Sequence, residues 1–181
     1  MPKYINDFVW KRIAGLKFDN ENSDLPFSKR LARENRWPQW FALDAIEEYR
    51  KFLYLIERAP HPVTPSIEVD QVWHLHLIYS EFYWEDFAKG MPVKPHHGPT
   101  RGGDDEDNKF IAWYSKTLES YEQVFGYKPP INIWPDKDER FRNDQSWHWV
   151  DASKHFILDR NSGYGYIAFV IFLLILVLLL F

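Results

Sequence analysis

The chain contains no cysteine. This absence excludes disulfides, thiolate metal ligands and cysteine nucleophiles, and it leaves the redox compartment open. A basic surplus is also missing, because the formal net charge at neutral pH is -4. Nucleic-acid-binding domains usually carry clustered positive charge, so no nucleic acid is expected as a partner. Neither HExxH nor GxSxG occurs, which removes the best-defined signatures of zinc proteases and serine hydrolases.

Apolar and aromatic residues are abundant instead. Hydrophobic residues make up 45% of the 181 residues and aromatic residues 18%, including 9 Trp. Such a composition supports a folded core, and the length suits one domain with an appendage. The N-terminus does not resemble a secretory signal, because Asp7, Lys11 and Arg12 interrupt its apolar run.

The C-terminal run YGYIAFVIFLLILVLLLF, residues 164–181, has no charged side chain and is apolar on every side. Eighteen helical residues span about 27 Å, close to the thickness of the hydrocarbon core. We therefore predict a transmembrane helix that inserts after synthesis as a tail anchor, with the membrane as a partner. Lys154 and Arg160 precede it, which predicts a single-pass protein whose N-terminal domain faces the cytoplasm. The juxtamembrane segment 146–163 either rests on the membrane interface or packs against the domain.

Hydrophobic periodicity predicts five helices before this run. They cover 5–16, 27–34, a segment from Trp37-Pro38 to Ala59-Pro60, a segment from a cap at Thr64 or Ser66 to about Lys89, and 104–126. The segment KPPINIWPDKDERF is expected to be extended, and no strand or internal repeat is evident. The predicted fold is all-α: a single compact helical domain of about five helices over 1–145, the segment 146–163, and the transmembrane helix 164–181.

The fourth predicted helix contains VDQVWHLHLIYSEFYW, residues 69–84, with two histidines one residue apart. Because helical residues turn by about 100° each, His74 and His76 fall on nearly opposite faces and cannot grip one ion together. Asp70 precedes His74 by four residues, so these two side chains share a face and the carboxylate can orient the imidazole. His76 falls on the apolar face and is predicted to be a buried histidine with a hydrogen-bond partner.

The loop sequence PHHGP supplies two further candidate ligands, His96 and His97. Adjacent residues in an extended loop point opposite ways, so one of these histidines is expected to face the helix. Asp70, His74 and His96 or His97 would form a two-histidine, one-carboxylate set. Without sulfur the candidate ions are Zn²⁺, Fe²⁺ and Mn²⁺. In the alternative, Asp70 only holds His74 and the loop hydrogen-bonds to helix ends.

Most tryptophan and tyrosine side chains occur at helical spacing beside aliphatic residues, which favours a place in the core. The expected exposed exceptions are Trp134, in NIWP, and the pair Trp147 and Trp149.

The order of several segments resembles a known family. VTPSIEVDQVWHLHLIYSEFYWEDF, then HHGPTRGG, then YKPPINIWPDKDERF is similar to an uncharacterised bacterial family that looks related to the plant glycine-rich-domain-containing proteins. The likeness covers about residues 30–141 and includes their Asp-x-x-Trp-His-x-His core. It implies a helical domain of the kind found in membrane-associated bacterial proteins, and it implies no catalytic activity. The RNA binding linked to the plant proteins depends on other regions, and this chain, with only 8 Gly, lacks their glycine-rich tail.

Two functions follow from these observations. The first is a noncatalytic, membrane-anchored helical domain that serves as an interaction or scaffold module for a protein partner on the cytoplasmic face. The alternative is a metal-dependent enzyme or metal sensor built on Asp70, His74 and the PHHGP loop. An open coordination position in such a site would allow hydrolytic or oxygen chemistry.

Overall fold

The computed structural model describes residues 3–93, 95–98, 104–142, 154 and 163–180. Every regular element in these ranges is helical. The elements are a 3₁₀ helix (Lys3–Asn6), α1 (Phe8–Ala14), α2 (Phe27–Asn35), α3 (Gln39–Arg58), α4 (Ile67–Ile78), a π-helix (Phe82–Ala88), α5 (Asp104–Phe125), α6 (Lys137–Arg140) and α7 (Gly163–Leu180). The first compact unit comprises residues 1–142 and contains all of these elements except α7.

Helix α3 lies at the centre of this unit, where α1, α2, α4 and α5 all pack against it. Its apolar residues recur every three or four positions, so they line one face of the helix. The fully buried residues on that face are Ala42, Ala45, Tyr49, Phe52 and Leu53. Burial of this face against four neighbouring helices, rather than helix propensity alone, stabilises α3.

The single helix predicted from about Ser66 to Lys89 is divided in the structure. Ser66 caps α4 by accepting a hydrogen bond from the Val69 amide, and α4 ends at Ile78. Tyr79 then has ψ 61°, outside the helical range. The chain resumes as a π-helix that contributes Tyr83 and Phe87 to the core. Such π-helical turns are rare overall, but those that occur often lie at functional sites.

His76 confirms the prediction of a buried histidine on the core face of α4. Its side chain is fully buried, and a hydrogen bond of 3.0 Å joins its Nδ1 to the hydroxyl of Tyr49. The rings of Phe18, Phe82 and Tyr83 lie within 5.1 Å of the imidazole, centroid to centroid. Burial, assisted by the positive charge of Arg50, lowers the pKa of His76 to about 3. The core therefore holds this imidazole in its neutral form.

A neutral buried His76 predicts acid sensitivity of the fold. In the unfolded chain a histidine binds a proton below about pH 6.5, whereas folded His76 does so only near pH 3. The contribution of His76 to stability is thus complete above pH 6.5 and is lost as the pH falls towards 3. At pH 5 we expect a loss of about 2 kcal/mol from this residue, measured by urea unfolding between pH 7 and pH 5.

The matched comparison for this prediction is His76→Asn against His96→Asn. His96 is exposed, so its replacement serves as the control for the loss of an imidazole outside the core. The His76→Asn variant should be less stable at pH 7 but should lose about 2 kcal/mol less than the wild type between pH 7 and pH 5. Identical pH dependence in all three proteins would contradict the neutral buried imidazole.

Trp134 corrects one expectation about the surface. The sequence predicts an exposed ring in an extended segment, but Trp134 is 1% exposed. It lies in a turn closed by a hydrogen bond from its backbone N–H to the Pro130 carbonyl. Its indole Nε1 donates to Oε2 of Glu48 at 3.0 Å. A buried acceptor on α3 therefore satisfies the ring nitrogen, which allows the whole side chain to enter the core. The other expected exceptions, Trp147 and Trp149, lie outside the described residues.

The second compact unit, residues 143–181, contains α7. Among the helices that the structure describes, none combines the length and the apolar character needed to cross a membrane. Helix α7 has 18 residues, a length at the lower end of the range for transmembrane helices. The predicted transmembrane helix 164–181 is therefore wrong. The predictions that depended on this helix are wrong as well: the tail anchor, the membrane partner and the single-pass localisation with a cytoplasmic N-terminal domain. Most of segment 146–163 lies outside the described residues.

Candidate metal centre

Helix α4 brings Asp70 and His74 together on one face. The two residues are one turn apart, and Nε2 of His74 lies 3.6 Å from Oδ2 of Asp70. The imidazole is about half exposed, whereas Asp70 is largely covered. Helical geometry alone accounts for this pairing and for the burial of His76 on the opposite face.

The loop after the π-helix contributes the third side chain. Nε2 of His97 donates a hydrogen bond of 2.8 Å to Oδ1 of Asp70, and the rings of His74 and His97 are 4.6 Å apart. One ligand atom from each of Asp70, His74 and His97 lies within 4.8 Å of the other two. His96 is not part of this group: it is exposed, and its ring lies beside Trp84, at 5.7 Å between centroids.

A relay of two hydrogen bonds holds the loop against α4. Nε1 of Trp73 donates to the hydroxyl of Tyr83 at 3.0 Å, and that hydroxyl donates to the carbonyl of Pro95 at 2.6 Å. Burial raises the pKa of Tyr83 to about 12, so the hydroxyl keeps its proton and remains a donor. The Trp73 ring also meets the His97 ring edge to face at 4.6 Å. These contacts fix which of the two loop histidines faces Asp70.

Tyr83 positions the loop that carries His97. The sequence pattern predicts only that Tyr83 is a core residue. Its spacing from Val72 and His76 places it on the apolar face, and the structure confirms complete burial. A buried tyrosine hydroxyl usually requires a hydrogen-bond partner. That requirement was the one available signal for a second role, but it could not identify Trp73 and Pro95 as the partners.

The three side chains are suited in type and separation to one divalent ion. In a tetrahedral site with bond lengths of 2.0–2.2 Å, two ligand atoms lie about 3.4 Å apart, so a separation of up to 4.8 Å must close by about 1.4 Å. Rotation of the exposed His74 ring can supply that movement. Three protein ligands leave positions open for water or a substrate, as in catalytic metal sites. Metal binding by Asp70, His74 and His97 stays a prediction.

Two curated plant proteins are similar to the chain. Glycine-rich domain-containing protein 1 of Arabidopsis thaliana is 29% identical over 106 residues, and glycine-rich domain-containing protein 2 of the same plant is 27% identical over 106 residues. Each match covers 56% of this chain but only 13% and 14% of the respective plant protein. No family model and no solved structure matches. The resemblance to the plant glycine-rich-domain-containing proteins is thus confirmed over about half of the chain.

Proposed function

We propose that the helical domain binds one divalent metal ion through Asp70, His74 and His97, and acts as a metal-dependent enzyme or metal sensor. The observation that carries this proposal is the convergence of the three ligand atoms within 4.8 Å of one another. Two of these residues come from one face of α4, and the third comes from a loop that is separately pinned by Tyr83. Two histidines with one carboxylate suit Zn²⁺, Fe²⁺ or Mn²⁺.

Each ligand has a defined role in this proposal. Asp70 faces both imidazoles: Oδ1 accepts the hydrogen bond from His97, and Oδ2 lies 3.6 Å from Nε2 of His74, so the carboxylate can orient both rings. In the metal-free protein the proton on His97 Nε2 satisfies the carboxylate, and the ion replaces that proton. The exposed side of His74 leaves coordination positions open to solvent, where the ion can polarise a substrate oxygen or lower the pKa of a bound water.

The resemblance to the plant proteins adds a finer proposal. We infer that the shared region centres on the Asp-x-x-Trp-His-x-His core, which in this chain comprises Asp70, Trp73, His74 and His76. In this proposal Asp70 and His74 are metal ligands and Trp73 supports the loop. His76 packs in the core on the opposite face of the same helix. We further propose that the chain belongs to a bacterial branch of these proteins.

Metal titration of the full chain tests the proposal. After chelator treatment the wild type should bind one equivalent of Zn²⁺ or Mn²⁺, or of Fe²⁺ without oxygen, as measured by calorimetry and metal analysis. At a free-ion concentration 100 times the Kd, the bound ion should stabilise the fold by about 2.7 kcal/mol. Asp70→Asn and His74→Ala should lose both effects.

Glu81→Gln provides the matched control for these variants. Glu81 is an exposed acid directly before the π-helix, and it does not belong to the three-residue group. Its replacement should leave the stoichiometry and the affinity unchanged. A wild-type chain that binds no stoichiometric ion, or a His74→Ala variant with wild-type affinity, would refute the metal centre.

The interaction or scaffold role stays a second proposal. It is favoured by apolar side chains exposed at the start of α3, where Trp40 is 60% exposed and Leu43 is 46% exposed. Trp40 also packs against Phe41, at 5.6 Å between ring centroids. Isolated exposed apolar residues are common, whereas adjacent ones suit protein contacts. Replacing Trp40 with serine should weaken complex formation with a partner while leaving the unfolding free energy within about 0.5 kcal/mol.

A further inference from the structure

Arg140 lies at the N-terminal end of α4 and forms few hydrogen bonds. Its Nε donates a long hydrogen bond of 3.4 Å to the carbonyl of Pro65, the residue before the cap Ser66. Among the described residues it forms no ion pair and no other hydrogen bond. The guanidinium lies 4.9 Å from the centroid of the Phe141 ring, which supports it on one side. Its outer nitrogens thus remain available for a ligand.

The same guanidinium lies near the carboxylate of the proposed metal centre. Asp70 follows Ser66 by four positions, or about 6 Å along the helix axis. Burial lowers the pKa of Arg140, while the nearby Asp70 and Tyr114 act in the opposite direction. Because a guanidinium in a protein stays protonated, Arg140 places a permanent positive charge at the N-terminal end of the helix that carries Asp70.

A metal-loaded centre would carry excess positive charge. A divalent ion with the Asp70 carboxylate and two neutral imidazoles has a net charge of one, and Arg140 adds a second. Glu68, the other acid close to Arg140, offsets at most one of these charges. A partly enclosed site with net positive charge attracts anions.

We propose that Arg140 binds the carboxylate of a small organic acid whose other oxygen atoms coordinate the ion held by Asp70, His74 and His97. This inference rests on the proposed metal centre and names the substrate class of that centre. The planar guanidinium matches a carboxylate through two parallel hydrogen bonds. A doubly charged phosphate fits less well, because Glu68 is a second acid near Arg140 and would repel the additional negative charge.

Binding of model acids to the metal-loaded full chain tests this inference. The probes are 2-oxoglutarate, which has a chelating end and a distal carboxylate, and 2-oxobutyrate, which has the same chelating end alone. Calorimetry on the Mn²⁺-loaded wild type should show that 2-oxoglutarate binds about 10- to 100-fold more tightly than 2-oxobutyrate. A charge-assisted hydrogen-bonded pair has an effect of this size. Arg140→Met should abolish this preference, and Arg140→Lys should retain part of it.

The controls separate the two proposals. Arg142→Met removes an exposed arginine that bonds to Glu139, and it should leave the preference intact. Metal affinity is measured first in every variant, and Arg140→Met should keep it. If the wild type binds no metal ion, the proposed metal centre is wrong. Normal metal binding with equal affinity for the two acids, or tighter binding of phosphate than of 2-oxoglutarate, would overturn the role of Arg140 alone; the wild-type measurement decides this even where Arg140→Met fails to fold.

Discussion

Replacing His97 with alanine is expected to lower the affinity for a divalent ion by at least about 100-fold, whereas replacing His96 should leave it unchanged. Loss of an outer-shell partner already costs 10- to 100-fold, and His97 is proposed as a direct ligand. The two residues are identical and adjacent, so composition, charge and helix content are the same in both variants. Only the direction of the ring differs: His97 bonds to Asp70, and His96 lies beside Trp84. Competition against a chromophoric chelator measures both affinities.

A second effect distinguishes a ligand from a hydrogen-bond partner. His97→Ala also removes the donor to Asp70, so the metal-free variant should be destabilised by about 1 to 3 kcal/mol. The His97→Asn side chain can still donate a hydrogen bond to Asp70, but it is shorter than histidine and has no imidazole nitrogen to bind the ion. We therefore expect His97→Asn to recover part of the stability and none of the affinity. Equal losses of affinity in the His96 and His97 variants would show that the loop does not bind the ion in the proposed arrangement.

The sequence pattern was sufficient to predict the helical part of the site. Apolar spacing placed a helix around Trp73, and the turn of 100° per residue separated His74 from His76. Both predictions are local, because they depend only on residues within one or two turns. The structure confirms the helix and the burial of His76. The pairing of Asp70 with His74 follows from the same geometry.

The choice between His96 and His97 could not be made from the sequence. It depends on the bond from the Tyr83 hydroxyl to the Pro95 carbonyl, and Tyr83 takes its place only because the chain breaks at Tyr79 and resumes as a π-helix. Periodicity predicts one uninterrupted helix there. The C-terminal prediction failed for a different reason, since it depended on an apolar run whose length lay at the lower limit for a membrane span.

Glu48 shows the same limit in the core. A glutamate on α3 looks like a surface residue from its type alone, yet its side chain is 5% exposed. Oε1 accepts a hydrogen bond of 2.7 Å from Lys51, and Oε2 accepts one of 3.0 Å each from Tyr121 and Trp134. Trp134 is 86 residues away along the chain, so no local pattern could predict that the two meet. The buried carboxylate explains why the Trp134 ring is not exposed.

Replacing Glu48 with alanine is expected to destabilise the first compact unit by about 3 to 5 kcal/mol, the usual result when one partner of a buried ion pair is removed. Burial alone lowers the pKa of Lys51, but the bond to Glu48 raises it above its ordinary value. Without Glu48 the lysine ammonium, the Tyr121 hydroxyl and the Trp134 N–H all lose an acceptor. Urea unfolding followed by tryptophan fluorescence measures the change.

The neighbouring Glu47 supplies the control for this prediction. Its side chain is 64% exposed and pairs with Arg50 at 3.0 Å, so Glu47→Ala should cost no more than about 1 kcal/mol. Both variants delete a glutamate from the same helix and change the net charge equally; they differ in burial and in the number of donors left without an acceptor. Glu48→Gln should fall between them, because the amide oxygen can still accept from the Tyr121 hydroxyl and the Trp134 N–H while the ammonium loses its counter-charge. If Glu48→Ala and Glu47→Ala unfold at the same urea concentration, the three bonds to Glu48 do not stabilise the core.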